Sequence, residues 1–123
     1  MPQMNEATGD RHPAYKDHPL WCRAMALTRE AYALADAIRR GDVDTATVLR
    51  RAAVSIPAHV ASALSATGPR RAEEALAARG ALAEVARQAR RQESPEARRL
   101  ESAVKELDAR VLFDLAAEDG RFS

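Results

Sequence analysis

The sequence predicts an all-α protein, an antiparallel up-down-up-down four-helix bundle, and three observations support this prediction. Apolar residues recur at alternating intervals of three and four along most of the 123 residues, which is the spacing of one helix face. Gly41, Gly68-Pro69 and Pro95 fall between these stretches, where helices end and begin. No stretch shows the alternation of a strand. Four helices of roughly 20 residues with short connections favour the up-down-up-down topology.

The first 14 residues have no apolar periodicity and predict a flexible N-terminal arm. The bundle is predicted over residues 15–118, and residues 119–123 form a C-terminal tail. The first helix ends near Arg39-Arg40 and Gly41, because cations and glycine are typical of a helix C-terminus. Asp17 can cap its start. Its apolar face consists of Leu20, Ala24, Leu27, Ala31, Leu34 and Ile38.

The second helix contains a proline in its interior. It is predicted to begin at Asp44 or Thr45, either of which can cap it. Pro57 removes a backbone donor and crowds the carbonyl of Ala53, which costs about 3 kcal/mol and predicts a kink. Ser55 is expected to donate back to the carbonyl of Arg51 and ease the bend. The apolar face consists of Ala46, Leu49, Ala53, Ile56, Val60 and Ala63.

The third helix is predicted over residues 69–92 and the fourth from Pro95, with Ser94 as its N-cap. Gly80 falls in the middle of the third helix, where glycine costs about 1 kcal/mol relative to alanine. Close approach of another backbone is the expected reason. The candidate core residues are Ala72, Ala75, Leu76, Leu82, Val85, Ala86 and Ala89 in the third helix, and Leu100, Val104, Leu107, Val111 and Leu115 in the fourth.

Composition bounds the class of protein. The formal charge is +1, and only residues 39–99 are basic, with twelve arginines and seven acidic residues. Residues 52–69 carry no charge but are too polar for a membrane span. The single cysteine and the lack of an apolar leader predict a cytoplasmic protein. Alanine-rich helices bury little apolar area in a monomer, so a homo-oligomer is expected.

Paired arginines are the candidate binding residues. Contact with the phosphates of RNA or DNA would be non-specific and weaken with salt, and the region lacks aromatic residues for base stacking. The other interpretation is a solvated surface with glutamate partners. If the helices alternate in direction, Arg39-Arg40 and Arg90-Arg91 are expected at opposite ends of the bundle. The candidate nucleic-acid residues are Arg50, Arg51, Arg70, Arg71, Arg90, Arg91, Arg98 and Arg99.

No pattern indicates an enzyme, a cofactor or a metal site. His59 has no carboxylate or cysteine near it in sequence, and Cys22 lacks a base at catalytic spacing. His12 and His18 lack further ligands. Structural roles are therefore the favoured interpretation. Contact between subunits is expected around Trp21 and the proline, through Trp21, Ser55, Pro57 and His59.

Two sequence blocks resemble a bacterial four-helix-bundle family, that of ribosomal intervening-sequence proteins and retroelement accessory variability determinants. Residues 15–32, with Tyr15-Lys16-Asp17, Leu20-Trp21, Ala24-Met25, Leu27 and Tyr32, resemble the family's FxDLxVWxxAMxLxxxxY pattern. Residues 50–57 read RRAAVSIP, which resembles a family signature, and residues 80–84 are similar to GSLxE. The resemblance implies a ring-like homopentamer. In the retroelement branch it also implies nucleic-acid binding and a partner reverse transcriptase.

The chain departs from the family after the proline. The family commonly continues AN(I/V)AEG, whereas His59, Ser62 and Ala63 stand here in place of Asn, Glu and Gly. His18 replaces a usual leucine. Roles that depend on those asparagine and glutamate side chains are therefore not carried over. The remaining alternative is a protein-interaction adaptor that binds no nucleic acid.

Overall fold

The computed structural model describes residues 14–116, which are 88% helical and include four long helices and no strand. Residues 1–13 of the predicted arm and the whole predicted tail lie outside this range. None of the described helices is long and apolar enough to cross a membrane. The helices are α1 (Pro19–Ile38), α2 (Val43–Leu64), α3 (Gly68–Arg90) and α4 (Pro95–Val111), with a 3₁₀ helix at Ala14–Asp17 and a π-helical turn at Leu112–Ala116.

One apolar core joins the four helices. All six residues of the predicted α2 face have no exposed surface, and the five predicted α4 residues are buried as well. In α1 the predicted face is buried from Leu20 to Leu34, and Ile38 is partly buried. The predicted faces of these three helices are confirmed, because three-four spacing keeps side chains on one side of a helix.

The α3 face differs from its prediction at Leu76, and the predicted Ala72 and Ala86 are only half-buried. Leu76 is 68% exposed, whereas Ala78 has no exposed surface. The buried stripe is Ala75, Ala78, Leu82, Val85 and Ala89, which keeps the alternating three-four spacing. Leu76 lies off this stripe. Its prediction as a core residue was wrong because it was based on the hydrophobicity of leucine and not on the position of residue 76 relative to the stripe.

Helix starts differ from their predictions at two of three caps. His18, and not Asp17, caps α1, since its Nδ1 accepts the backbone N–H of Leu20 at 3.0 Å. Asp42, and not Asp44 or Thr45, caps α2, since its Oδ1 accepts the backbone N–H of Thr45 at 3.0 Å. Ser94 caps α4 as predicted. The sequence offers several capping residues in a row, and backbone geometry selects one.

Pro57 lies within α2 and is buried in the subunit. A proline leaves the carbonyl four residues earlier without its helical donor. That carbonyl, on Ala53, accepts a hydrogen bond from the hydroxyl of Thr28 in α1, with an Oγ1–O distance of 3.1 Å. The same hydroxyl lies 2.8 Å from the carbonyl of Ala24 in its own helix, so its single proton is shared between Ala24 and the acceptor that Pro57 leaves free. The hydroxyl of Ser55 donates to the carbonyl of Ala52 at 2.8 Å, not to Arg51 as expected.

A bidentate ion pair joins α3 to α4. Arg79 donates from Nε to Oδ1 of Asp108 at 2.8 Å and from Nη2 to Oδ2 at 3.2 Å. The hydrogen bond to Asp108 raises the pKa of Arg79, so the guanidinium stays charged. Both side chains are about one-third exposed, and solvent screening therefore keeps the contribution of the pair small. Its two-point geometry fixes the register of the two helices.

Gly80 is exposed, and a Cβ atom placed on it meets no atom within 4 Å in the subunit. The expected close approach of another backbone is therefore absent from the described part of the subunit. We predict that Gly80→Ala raises the free energy of unfolding by about 0.5–1 kcal/mol, because alanine restricts the unfolded chain and favours helix. Urea denaturation of both proteins measures this difference. Destabilisation would contradict the prediction and indicate an unseen close contact.

Candidate nucleic-acid interface

Arg50 is held by contacts within the chain. Its Nη2 contacts Oδ1 of Asp36, and its guanidinium lies 5.8 Å from the centre of the Tyr32 ring. Both partners belong to α1, so Arg50 connects α2 to α1 through a charge pair and a cation–π contact. Its side chain is 30% exposed. A phosphate would have to compete with Asp36 for this guanidinium.

Arg71 is also held within the subunit, at the end of α2. Its Nε–H is shared between the carbonyls of Ala63 at 3.0 Å and Ala66 at 2.9 Å. Nη2 lies 3.5 Å from the carbonyl of Leu64. The last carbonyls of a helix have no intrahelical donor. The carbonyl of Ala63 also accepts the backbone N–H of Ala66 at 3.2 Å, so Arg71 adds a charged donor there from the first turn of α3 and joins the two helices.

The other arginine candidates are exposed. Arg51, Arg70, Arg90 and Arg98 make no side-chain hydrogen bond or ion pair with another residue of the described range. Arg99 is 69% exposed, and its Nη2 is 3.9 Å from Oε2 of Glu96. These side chains are available to an external anion, in contrast to the two that bind the protein itself.

Six arginines gather where α1 ends, α2 begins, α3 ends and α4 begins. This surface, the arginine end, consists of Arg39, Arg40, Arg90, Arg91, Arg98 and Arg99. Arg91 is close enough to Asp42, the cap of α2, to contribute to lowering its pKa. Arg39-Arg40 and Arg90-Arg91 therefore lie at the same end, and the expectation of opposite ends was wrong. Two successive helices of opposite direction would return the chain to the end that it left, so the expectation did not follow from alternation.

Four carboxylates accompany these arginines: Asp42, Asp44, Glu93 and Glu96. The pKa of Asp42 is lowered mainly by the Thr45 hydroxyl, whose Oγ1 is 2.6 Å from Oδ2, and then by the Thr45 backbone N–H. Asp42 is consequently ionised at neutral pH. Its carboxylate is bound by Thr45 in the first turn of α2. Arginine still outnumbers carboxylate on this surface, six to four. Such a surface attracts polyanions through charge without reading a sequence.

A second cluster of polar groups lies around Arg70 at the start of α3. Arg70 lines a shallow pocket of about 620 Å³ with the hydroxyl-bearing residues Ser62, Ser65 and Thr67. This pocket is at the junction of α2 and α3. Arg70 is thus separated from the arginine end by the length of α3. The candidates Arg90, Arg91, Arg98 and Arg99 therefore lie at the arginine end, whereas Arg70 lies apart from them.

The residues expected between subunits have contacts inside the subunit. Trp21 is partly buried against the core, and its ring meets Tyr15 edge-on at 5.5 Å between centroids. Pro57 is buried, so its ring is not available to a neighbouring subunit, which corrects its assignment to an interface. Ser55 is half-buried and binds the backbone. The exposed helix faces that carry small residues are the surface that remains for a contact between copies of the chain.

His59 has a partner that sequence proximity did not indicate. Its Nδ1 is 3.0 Å from Oε1 of Glu74, which accepts the ring N–H and connects α2 to α3. The two residues are fifteen positions apart and lie on consecutive helices. A search for carboxylates on the next helix, and not only among neighbouring residues, could have found Glu74. The pair explains His59 as a structural residue.

Cys22 and the possible metal ligands were the other candidates for chemistry. Cys22 is exposed, and its Sγ lies 3.6 Å from the carbonyl of Lys16, which activates no thiolate. No group of three His, Cys, Asp or Glu residues in this range could hold a metal ion. Reasoning from sequence also missed Thr28 and the pair of Arg79 with Asp108, because partners on different helices are not visible in local spacing.

The chain was compared with protein families, curated proteins and solved structures. No family model, curated protein or solved structure matches it. The function is therefore proposed below from the geometry of this chain and from the sequence resemblance over residues 15–92.

Proposed function

We propose that this protein is a non-enzymatic, homo-oligomeric helical scaffold that binds RNA or DNA non-specifically through its arginine end. The observation that carries the proposal is the set of exposed arginines gathered at one end of the subunit, of which Arg90 and Arg98 have no partner among the described residues. Non-specific binding to phosphates needs such unpaired cations and no base-reading groups. Arg51 and Arg70 are secondary contacts in this proposal.

The scaffold in this proposal is an antiparallel up-down-up-down bundle. Two contacts support opposite directions for α1 and α2: Thr28 contacts Ala53, and Asp36, further along α1, contacts the earlier Arg50. Two more support the same for α2 and α3, because Arg71 contacts Ala63 and the later Glu74 contacts the earlier His59. Short connections between the helices agree with this arrangement.

The assembly in this proposal is a homopentamer located in the cytoplasm. The pentamer rests on the sequence resemblance, which also suggests a reverse transcriptase as a protein partner. The alanine-rich helices add a physical reason, because association supplies apolar burial that a small core lacks. Light scattering that gives a monomer at micromolar concentration would refute the oligomer.

Charge reversal at the arginine end tests nucleic-acid binding. We expect Arg90→Glu with Arg98→Glu to weaken binding to a duplex RNA by at least about tenfold at low salt. Each phosphate contact releases counterions from the RNA, and the variant loses two such contacts. The slope of log K against log salt should also decrease by about 2. Fluorescence anisotropy at several salt concentrations measures both quantities.

A matched variant controls for net charge. Arg29→Glu with Arg110→Glu makes the same change at two exposed arginines of α1 and α4 that have no ion-pair partner in the described range. This control should bind more tightly than the arginine-end variant. Equal losses would indicate a response to net charge alone. Wild-type protein that does not bind at low salt would refute the nucleic-acid function.

The second candidate is a protein-interaction adaptor without nucleic-acid binding. The engagement of Arg50 and Arg71 by the protein favours it, since part of the arginine content has a structural explanation. Retained oligomerisation with no RNA or DNA binding would select this function. Both candidates share the same helical scaffold.

A further inference from the structure

The outward side of α3 carries a regular line of exposed residues. They recur at intervals of three and four, so they follow one side of the helix, opposite the buried stripe. Leu76 is 68% exposed and is the most exposed large apolar residue of the four α-helices as described. Its neighbours on this side, Gly80 and Ala83, are small. We call these residues the outer line of α3: Glu73, Leu76, Gly80, Ala83 and Arg87.

Gly80 lies at the centre of the outer line, and the described part of the chain gives no reason for a glycine there. Glycine inside a helix costs about 1 kcal/mol relative to alanine. It is used where another backbone approaches closely, because it has no Cβ atom to prevent the approach. Nothing in residues 14–116 comes within 4 Å of a Cβ atom at this position. The space over Gly80 is therefore open to a second molecule.

The two halves of the outer line differ in charge. Glu73 lies seven residues before Gly80, and Arg87 lies seven residues after it. Glu73 is exposed and makes no hydrogen bond or ion pair with another residue of the described range. Arg87 donates from Nη1 to Glu84 at 2.8 Å, and its side chain is 54% exposed. Its guanidinium keeps further N–H donors for a second carboxylate.

The other charged groups of α3 leave this polarity in place. Glu74 and Arg79 are bound to residues of α2 and α4, and Arg70 lines the pocket between α2 and α3. Glu84 is bound within its own helix, and the exposed Arg90 adds a positive charge near the end. The second half thus carries two arginines and one glutamate, a balance of 2 − 1 = +1, against −1 for the first half.

We propose that two copies of this chain pair antiparallel through the outer lines of α3, about a two-fold axis at Gly80. Each Glu73 then faces Arg87 of the partner subunit, because both lie seven residues from the axis. Each Leu76 lies over Ala83 of the partner subunit, and the two glycine backbones come close at the axis. A two-fold contact uses one patch twice, and the outer line has the self-complementary charge and shape that this requires.

This contact goes beyond the proposed function, and it depends neither on the ring implied by the resemblance nor on nucleic-acid binding. A two-fold contact closes after two copies, so it is additional to the contacts of a ring. Its apolar centre consists of Leu76 and Ala83 from each copy. Because this area is small, we expect pairing at about 100 µM protein and above.

Cysteine trapping tests the position of the axis. In a Cys22→Ser background, which removes the exposed native thiol, Gly80→Cys should form a disulfide-linked dimer with oxidised glutathione. Residues at a two-fold axis face their own copies within disulfide distance. Ala83→Cys and Ala58→Cys are controls at exposed alanines, one on the outer line away from the axis and one on α2. Each should form a dimer at least about tenfold more slowly.

A mixture of two variants tests the register. Leu76→Cys and Ala83→Cys, each in the Cys22→Ser background, should give mainly the mixed disulfide, because residue 76 of one copy lies over residue 83 of the other. Equal rates for Gly80→Cys and both controls, with a random distribution of disulfides in this mixture, would overturn the proposal. Circular dichroism of each variant establishes that the chain remains folded.

Leu76→Glu tests the contact without a cross-link. Sedimentation equilibrium should show that the average mass of wild type rises above that of the dilute species at about 100 µM, whereas this variant shows no rise. Val54→Glu makes the same change at a 52% exposed apolar residue of α2 and should behave as wild type. Gly80→Ala should weaken pairing although it stabilises the dilute subunit. Leu76→Glu that pairs like wild type would overturn the inference and leave the outer line to the chain's own terminal residues or to a different protein.

Charge exchange tests the antiparallel direction. Glu73→Arg and Arg87→Glu should each weaken pairing by at least about fivefold, since each places like charges opposite one another. The double variant restores opposite charges in both pairs and should recover pairing, and absence of recovery would contradict the antiparallel arrangement. A wild-type mass that does not rise with concentration would also refute this contact. The proposed ring is judged separately, from its mass at micromolar concentration.

Discussion

Replacing Thr28 with valine should lower the free energy of unfolding by about 1–3 kcal/mol, the cost of leaving a buried acceptor without a partner. Ala53 has no exposed surface, and the absent N–H of Pro57 removes the usual helical donor to its carbonyl. The Thr28 hydroxyl lies 3.1 Å from that oxygen and shares its proton between it and the carbonyl of Ala24, which is 2.8 Å away. Valine keeps the shape of threonine and removes the hydroxyl. Chemical denaturation monitored by circular dichroism measures the loss.

A double-mutant cycle isolates the link between Thr28 and Pro57. In a Pro57→Ala background the N–H of residue 57 can bind the Ala53 carbonyl, so Thr28→Val should cost at least about 1 kcal/mol less than in wild type. Thr28→Ser, which keeps a hydroxyl, is the control and should cost less than valine. Equal costs of Thr28→Val in both backgrounds would show that the hydroxyl does not serve the proline.

Replacing Arg71 with alanine should lower the free energy of unfolding by about 1.5–3 kcal/mol, the range for hydrogen bonds from a charged group. The substitution leaves the carbonyls of Ala63 and Ala66 without the Nε–H that they share. Arg71→Lys should recover only part of the loss, because an ammonium cannot reproduce the geometry of a guanidinium. Thermal and urea unfolding measure the difference.

The neighbouring Arg70 is a matched control for this prediction. It is exposed and makes no hydrogen bond or ion pair with another residue of the described range. Arg70→Ala should therefore change stability by no more than about 0.5 kcal/mol. The two arginines look alike in the sequence, so a large difference between them would demonstrate that tertiary position separates their roles. Equal effects would contradict the assignment of Arg71 to the end of α2.

The helices and most of their buried faces followed from the sequence. The α2 face was complete because each of its six residues kept the three-four spacing, and Ser94-Pro95 marked the start of α4 because serine caps and proline favours the first helical turn. Leu76 shows the limit of this reasoning. Alanine occupies both faces of α3 and does not distinguish them. A single leucine was therefore predicted to be buried, although its position lies off the buried stripe.

The candidate site was less predictable than the fold. Eight arginines had the same standing in the sequence, yet Arg50 binds Asp36 and Arg71 binds the end of α2, while Arg90 and Arg98 remain exposed. Pairing depends on which residues of other helices lie within a few ångströms. That distance is set by helix packing, which adjacent residues do not encode.

The sequence by itself determined four helices, their approximate limits and the residues that face the core, because helical periodicity and capping are local properties of the chain. Only the tertiary structure decided which arginines are available and that the Thr28 hydroxyl reaches the carbonyl freed by Pro57. Each of these depends on contacts between residues far apart in sequence, and such contacts form only when apolar faces bring the helices together.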